Sequence, residues 1–482
     1  MRIISLLLCA CGLCCLRLAA QSPADSLLAV RLDSLAEHGL PRGSSAGMAV
    51  YDLTEGRMLY ERQADGLCRP ASTMKLATAI AALAQPGFDE PFRTEIWAKG
   101  RIEGDTLHGD LYVVGGFDPE LGDADLDSLV SAVARAPFSV IKGRVLGDVS
   151  MKDSLYWGSG WLWDDNPAAF QPYLSPLMLE KGTARVTVSP TQPGDTAGVS
   201  VRPASSYYTV NNTARTRTPS AGPLRVTRRW MENGNEILVS GNVAKRQTRA
   251  LNLYSSQDFF MHTFAERLAA AGIRRAGTAA DSLYAFGELS APDSLCVLLA
   301  AHETPAQRVL DEMLKESDNL NAEAMFCRLG AQYTGRKHVR ARDAQQAVRE
   351  LIGKVGLRPS DYRLADGCGL SHYDYLSPRL LVAFLRYAYA RTDIFGKLYK
   401  ALPVSGVDGT LKRRMGRGTP AYRRVHAKTG SYTGINCLAG YLQARDGHWL
   451  AFAIMNQNVL SGRKARAFQD KVCVEIIMRQ GN

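Results

Sequence analysis

Ser72 and Lys75 stand three residues apart, a spacing that can pair a nucleophile with its base. On a helix, positions i and i+3 share a face, so the hydroxyl and the amine would meet in one cleft. A serine hydroxyl is a weak nucleophile at neutral pH. A lysine can take its proton where burial or neighbouring positive charge lowers the amine pKa. A helix start at the serine would also stabilise developing negative charge. Such a pair arises by chance about once or twice in a chain this long, so it gains weight only from company.

Two further triplets supply that company, in order along the chain. Ser317-Asp318-Asn319 offers a hydroxyl that can relay a proton and an amide that can hold a substrate carbonyl. The same residue types are favoured helix caps, and a cap position at a cleft edge can serve both purposes. Lys428-Thr429-Gly430, followed by Ser431, stands just before a strand-like segment. On a strand edge, the lysine and hydroxyls suit a substrate carboxylate, and Gly430 allows an extended peptide to approach closely. A strand-end turn is the plain alternative. Each triplet is expected about a tenth of a time by chance, and the ordered trio outweighs three separate coincidences. A serine nucleophile with a lysine base would need no metal and no cofactor, and none is expected.

The elements that must position these residues are legible in outline. Ala46–Tyr51 and Arg57–Glu61 alternate like a strand pair around Thr54-Glu55-Gly56. Ser72–Leu83 reads as a buried helix. From Phe92 to about Val243, strand-like stretches such as Thr94–Ala98, Asp110–Val114 and Arg185–Ser189 alternate with turn residues, interrupted by one helix near Ala124–Ala134. Helical periodicity returns at Asp258–Ala271, Ala306–Lys315 and Ala322–Leu329. Strands at Gly434–Gln443 and Trp449–Met455 and a last helix, Arg463–Met478, close the chain. This order predicts one α/β domain split by a β-rich insertion.

The 482 residues include 58 Lys+Arg against 47 Asp+Glu, 46% hydrophobic and 22% charged, which excludes a disordered or collagen-like chain. Residues 1–20 read as a secretory leader: Arg2, the apolar run Ile3–Leu16, and Leu18-Ala19-Ala20 before a cut at Gln21. A lipoprotein cut at Cys11 ranks second. Arg17 interrupts the run, and no later segment is long and apolar enough to span a bilayer, so no transmembrane helix is expected in the mature chain. Removing the leader lowers the net charge from +11 to +9 and leaves Cys68, Cys296, Cys327, Cys368, Cys437 and Cys473. Their spacings match no metal or redox motif, and buried thiols are expected for most. The basic cluster Lys412–Arg424 reads first as a solvated loop. His426 would point to the same side of a strand as Lys428, where it either tunes the lysine or simply packs.

The trio is the set of penicillin-binding proteins and class A β-lactamases. Beyond it, the chain contains PASTMKL (Pro70–Leu76), LYVVGGFDP (Leu111–Pro119), GWLWDD (Gly160–Asp165), ESDNLNAE (Glu316–Glu323), DGCGLS (Asp366–Ser371) and LPVSGVDGTL (Leu402–Leu411). In these stretches it resembles the DacB-type, penicillin-binding protein 4-like D-alanyl-D-alanine carboxypeptidases, low-molecular-mass class C penicillin-binding proteins. Ser72 and Ser317 lie 245 residues apart, leaving room for an insertion that typical β-lactamases lack.

The resemblance implies a β-lactamase/transpeptidase-like domain, an antiparallel sheet flanked by helices. Its expected boundaries are a leader at 1–20, a first segment at 21–90, a β-rich insertion at 91–252 and a second segment at 253–482. It implies Ser72 as the acylated nucleophile, Lys75 as its base, and Ser317 and Asn319 as proton-transfer and positioning groups. Lys428 and Thr429 would face the substrate carboxylate beside Gly430. The N–H groups of Ser72 and Ser431 would form the oxyanion hole. Partners would be peptidoglycan stem peptides, with β-lactams as inhibitors and no nucleic acid, in a periplasmic or otherwise extracytoplasmic location. The family's usual DGSGLSR reads DGCGLSH here. His372 therefore replaces an arginine resembling a contact for the stem-peptide side chain, Asp165 matches an acidic position for the same residue, and Phe170 replaces a tyrosine. A serine β-lactamase or esterase, or an inactive peptidoglycan-binding protein, are the rival readings.

Overall fold

The computed structural model describes residues 23–276, 282–290 and 293–479. The leader, its cut at Gln21 and the alternative at Cys11 lie outside the described residues.

Ser45–Asp52 and Arg57–Arg62 form the expected hairpin and one edge of a five-stranded antiparallel sheet. The order continues through Trp449–Gln457 and Ile435–Gln443 to Val425–Tyr432 at the other edge. Successive side chains point to opposite faces. Met48, Val50, Phe452 and Ile454 therefore pack with the first and last helices, Pro23–His38 and Gly462–Ile477. Ala49, Tyr51, Ala453 and Met455 face a helical layer on the other side. Both faces are covered, which is why Trp449–Met455 reads as a nearly continuous apolar run.

The helical layer is built around Met74–Leu83, all ten residues of which are buried. A helix apolar on every side belongs inside a domain. Asn319–Thr334, Ala341–Lys354, Pro378–Tyr389 and Thr392–Ala401 surround it. The last three are additions to the sequence reading. One of them carries a legible start, Ser377 accepting from the Leu380 N–H with Pro378 in the first turn.

The insertion holds its own core. Phe92–Glu103 and Thr106–Gly115 pair as a long hairpin at the centre of a seven-stranded mixed sheet. Two three-stranded sheets follow, one ordered Gln247–Asn252, Thr183–Ser189, Gly198–Arg202 and the other Arg225–Arg228, Glu236–Ser240, Thr209–Asn212. The expected return to the first domain at 253 needs correction. Helix Ser256–Ala270 buries Phe259, Phe260 and Phe264 in the inserted core, and Cys296–Thr304 pairs with Phe92–Glu103. The inserted sheet therefore closes near Thr304. Helical periodicity at Asp258–Ala271 marks this segment as a helix but carries no information about which core it joins.

Among the described residues no helix is long and apolar enough to cross a membrane. The six cysteines are free thiols, five of them buried. In the basic cluster, Arg414 pairs with Asp470 at 2.6 Å, while Lys412, Arg413, Arg417, Arg423 and Arg424 are exposed.

Candidate active site

Ser72 sits in a short 3-10 turn, Ala71–Thr73, that runs directly into the buried helix. Its side chain is partly exposed, whereas Lys75 is fully buried. Lys75 Nζ lies 3.0 Å from Ser72 Oγ, 2.7 Å from Asn319 Oδ1 and 2.8 Å from the Cys368 carbonyl oxygen. Burial pulls the Lys75 pKa below its ordinary 10.5, against the raising pull of neighbouring groups that include Asp366, Asp318 and Glu323.

Each acceptor around Lys75 is itself held. Asp318 caps the helix Asn319–Thr334 by accepting from the Asn321 N–H at 2.9 Å, which places Asn319 in the first turn. The Asn319 amide donates through Nδ2 to the Phe170 carbonyl at 2.8 Å, leaving its oxygen toward the lysine. The loop carrying Cys368 is shaped by two buried carboxyl groups. Glu323 Oε1 accepts from the Gly367 and Cys368 N–H groups, each at 2.9 Å. Asp366 accepts from the Gly369 and Ser371 N–H groups, each at 2.7 Å, and from the Trp161 indole at 2.8 Å. Burial, reinforced by the charge of Asp366, pushes the Glu323 carboxyl up to about 7.

Ser317 follows a π-helical turn, Glu312–Glu316, and adopts a left-handed conformation at φ 62°. That geometry brings its hydroxyl to Lys428, whose Nζ donates to Ser317 Oγ and to the Thr429 carbonyl, both at 2.7 Å. Lys428 is fully buried, and burial together with the charge of Lys75 holds its pKa well below 10.5. Gly430 is where the edge strand meets the turn that carries Ser72. A Cβ there would stand 2.7 Å from the Pro70 carbonyl oxygen and 2.9 Å from the Ser72 nitrogen. Thr429 Oγ1 donates to Thr410 Oγ1 at 2.8 Å, and the Ser431 side chain is exposed.

Asp165 and His372 meet beside this centre, close enough for the charge of each to shift the other. Burial, with Asp164, raises the Asp165 carboxyl. Burial, with Arg69, lowers the His372 imidazole below 6.5. The His372 ring stacks on Tyr432 with centroids 4.6 Å apart, and its carbonyl accepts from Arg69 Nε at 3.2 Å. The Phe170 side chain is 51% exposed, and the residue reaches the centre through its carbonyl. His426 stacks on Tyr399 at 3.9 Å and is a packed histidine.

Glu323, Asp366 and Cys368 lie within the quoted motifs, but nothing in the sequence places them at the site. Nothing in the sequence places Lys181 there either; it bridges Asp318 at 2.7 Å and Glu120 at 2.8 Å. A backbone carbonyl such as that of Cys368 leaves no side-chain signature, and Lys181 lies far from every motif in sequence.

A buried lysine on a serine, beside a second buried lysine that holds a second serine, is an arrangement suited to serine acyl transfer, on a sheet flanked by helices. Comparison with known proteins narrows the class. Residues 28–476 match the model of the D-Ala-D-Ala carboxypeptidase 3 (S13) family, and the chain belongs to that family of peptidases. It is 30% identical over 467 residues to a D-alanyl-D-alanine carboxypeptidase of Actinomadura sp. (strain R39), covering 94% of this chain and 84% of the relative. It is 27% identical over 419 residues to D-alanyl-D-alanine carboxypeptidase DacB of Haemophilus influenzae, covering 86% and 85%. The crystal structure of penicillin binding protein 4 (dacB) from Haemophilus influenzae superposes with a TM-score of 0.80 at 24% identity, over 92% of this chain and 99% of that one. The fold is thus the mixed α/β fold anticipated, with an antiparallel sheet between helices.

Proposed function

We propose that this chain is a periplasmic or otherwise extracytoplasmic serine D-Ala-D-Ala carboxypeptidase and endopeptidase that acts on peptidoglycan stem peptides through an acyl-enzyme on Ser72. The observation that carries the reading is the contact of Lys75 Nζ with Ser72 Oγ inside a fully buried lysine environment. Two N–H groups of the amine are committed to Asn319 Oδ1 and the Cys368 carbonyl. The remaining position faces Ser72, where a neutral amine presents its lone pair. Ser72 Oγ attacks the carbonyl of the penultimate D-alanine and its proton passes to Lys75. The N–H groups of Ser72 and Ser431 receive the oxyanion. The terminal D-alanine leaves as an amine, receiving through Ser317, which Lys428 holds, the proton that Lys75 had taken, so that Lys75 is neutral again. Water then attacks the acyl-enzyme and gives a proton to Lys75, which passes it to Ser72 Oγ as the shortened peptide is released. Lys428 and Thr429 bind the terminal carboxylate, and Asp165 and His372 meet the side chain of the residue before the alanines. The same steps on a cross-link between two stem peptides release a second peptide in place of D-alanine. The domain division that fits these roles places the catalytic segments at 21–90 and about 305–482, around the insertion.

A β-lactam acylates Ser72 by opening its ring amide, and the remaining ring keeps the leaving amine tethered. Intact-mass analysis with a penicillin should show one covalent adduct on the wild type and none on Ser72→Ala. An adduct surviving that substitution would overturn the assignment. Rapid turnover of penicillin without cleavage of D-Ala-D-Ala peptides would identify a β-lactamase instead.

A further inference from the structure

The loop that carries Asp165 and Phe170 presents an aromatic surface outward. Trp163 lies in the 3-10 turn Trp163–Asp165 and is 59% exposed. It meets Trp230, on a second short turn, with ring centroids 4.3 Å apart. Met231 continues the apolar surface, 67% exposed. The neighbouring Trp161 is buried and donates to Asp366, whereas among the described residues neither Trp163 nor Trp230 has an acceptor for its indole N–H. Asp164, Glu232 and Asn233 stand exposed around the pair.

This surface is built, not incidental. Arg228, two residues before Trp230, is 1% exposed and donates to Asn166 Oδ1 at 3.0 Å, Asn252 Oδ1 at 2.8 Å and the Gly234 carbonyl at 3.0 Å. Its guanidinium thus fastens the loop of Trp163 to the sheet edge that presents Trp230. Gln171 closes the same loop by donating to the Leu162 carbonyl at 2.7 Å. The far end of the loop reaches Asn319 through the Phe170 carbonyl, so one loop carries both Trp163 and a contact to the candidate site.

We propose that Trp163 and Trp230 form a subsite for the glycan strand of peptidoglycan, stacking against the C–H faces of an N-acetylated hexosamine ring. This rests on the proposed peptidoglycan substrate, in which every stem peptide hangs from a sugar. Rigid aromatic faces supply contact area at low entropic cost. Free indole N–H groups and the surrounding carboxylates and amide match the hydroxyl and acetamido groups of such a ring. An exposed apolar patch of this kind marks an interaction surface, and its place on the loop that also contacts Asn319 favours the polymer that carries the scissile peptide.

The test uses the whole chain, with Trp163→Ala, Trp230→Ala and the conservative Trp163→Phe, and two probes. Peptide-free glycan strands should be retained by the wild type and bound about five- to tenfold more weakly by either alanine variant, with Trp163→Phe closer to wild type. A glycan-linked pentapeptide should show a matching rise in KM in the alanine variants, while a free pentapeptide ending in D-Ala-D-Ala changes less than about twofold. No retention of glycan by the wild type, or equal retention by all variants, overturns the proposal. Equal losses on free and glycan-linked peptide also overturn it, since they would mark Trp163 as a support for the loop. A change of oligomeric state in Trp163→Ala without glycan retention would assign the patch to a second copy of the chain. Whether the wild type cuts the free peptide decides the proposed activity separately, because glycan retention is read without catalysis.

Discussion

The role proposed for Lys75 rests on a conflict between burial and charge. A fully buried ammonium is disfavoured, and the second buried lysine, Lys428, adds to the strain on the pair. The acylation rate by a penicillin should therefore rise with pH along a limb whose midpoint lies below 10.5. A midpoint at the ordinary lysine value would sink the base assignment. Lys75→Met should slow acylation by about 10²–10⁴-fold while leaving the circular dichroism spectrum unchanged. Against the pull of Asp165, burial and Arg69 hold the His372 imidazole below its ordinary pKa, which disfavours its charged form. His372→Arg places a permanent charge beside Asp165. Relative kcat/KM should then move about tenfold toward stem peptides with a side-chain carboxylate, as in diaminopimelate, over neutral or lysine-type peptides. An unchanged ratio would remove His372 from the specificity of the site.

At the scale of elements, the site is where a strand, a turn and two helix starts converge, and that convergence explains what was legible. The three motifs were readable because each packs its chemistry into adjacent side chains, and the helix and strands next to them are marked by long apolar runs. The supports were not readable. The Cys368 carbonyl works through backbone, Glu323 acts by receiving two N–H groups from a loop distant in sequence, and helix Ser256–Ala270 joins a core that periodicity does not name. Gly430 joins both kinds of information. Its Cβ would press on the backbone of Pro70, Ser72 and Thr73, which cannot yield without moving the nucleophile. Gly430→Ala should cost about 1–3 kcal/mol in a urea titration and lower acylation far more than that loss of stability alone requires. Wild-type acylation in this variant would mean the strand and turn adjust freely. Glu323 offers a test of the loop. Its folded pKa, about 7, lies above the ordinary 4.5, so protonation favours the fold. The contribution is complete below 4.5 and is lost as pH rises through 7. Glu323→Gln keeps an acceptor for the Gly367 and Cys368 N–H groups and removes the titration. The wild type should lose stability relative to the variant across that window, and parallel stability profiles would show that Glu323 does not titrate there.

At the scale of the whole molecule, the proposed insertion contributes a lysine beside the candidate site. Lys181, from the insertion, reaches Asp318 at 2.7 Å and Glu120 at 2.8 Å. Burial pushes the Asp318 carboxyl up, but the charge and hydrogen bonds of Lys181, with the Asn321 N–H, hold it below its ordinary value. Asp318 in turn caps the helix that presents Asn319 to Lys75, so one ammonium from the insertion supports the alignment of the base. Lys181→Met leaves the nearly buried Glu120 with Arg308 at 3.3 Å, whereas Asp318 loses its only ion pair among the described residues. Because the pair is partly solvated, the expected cost is about 1–3 kcal/mol, less than for a fully buried pair. Acylation should fall about tenfold as Asn319 loses its register. Adding Asp318→Asn to Lys181→Met removes the unpaired charge and keeps a good helix cap. The double variant should therefore recover most of the stability and part of the acylation rate. Urea midpoints and penicillin acylation rates on the two variants decide the matter. If Lys181→Met alone acylates like the wild type, the insertion does not hold the base in place. If the double variant is no better than the single one, the cost lies in packing lost with the lysine stem and not in the charge it leaves behind.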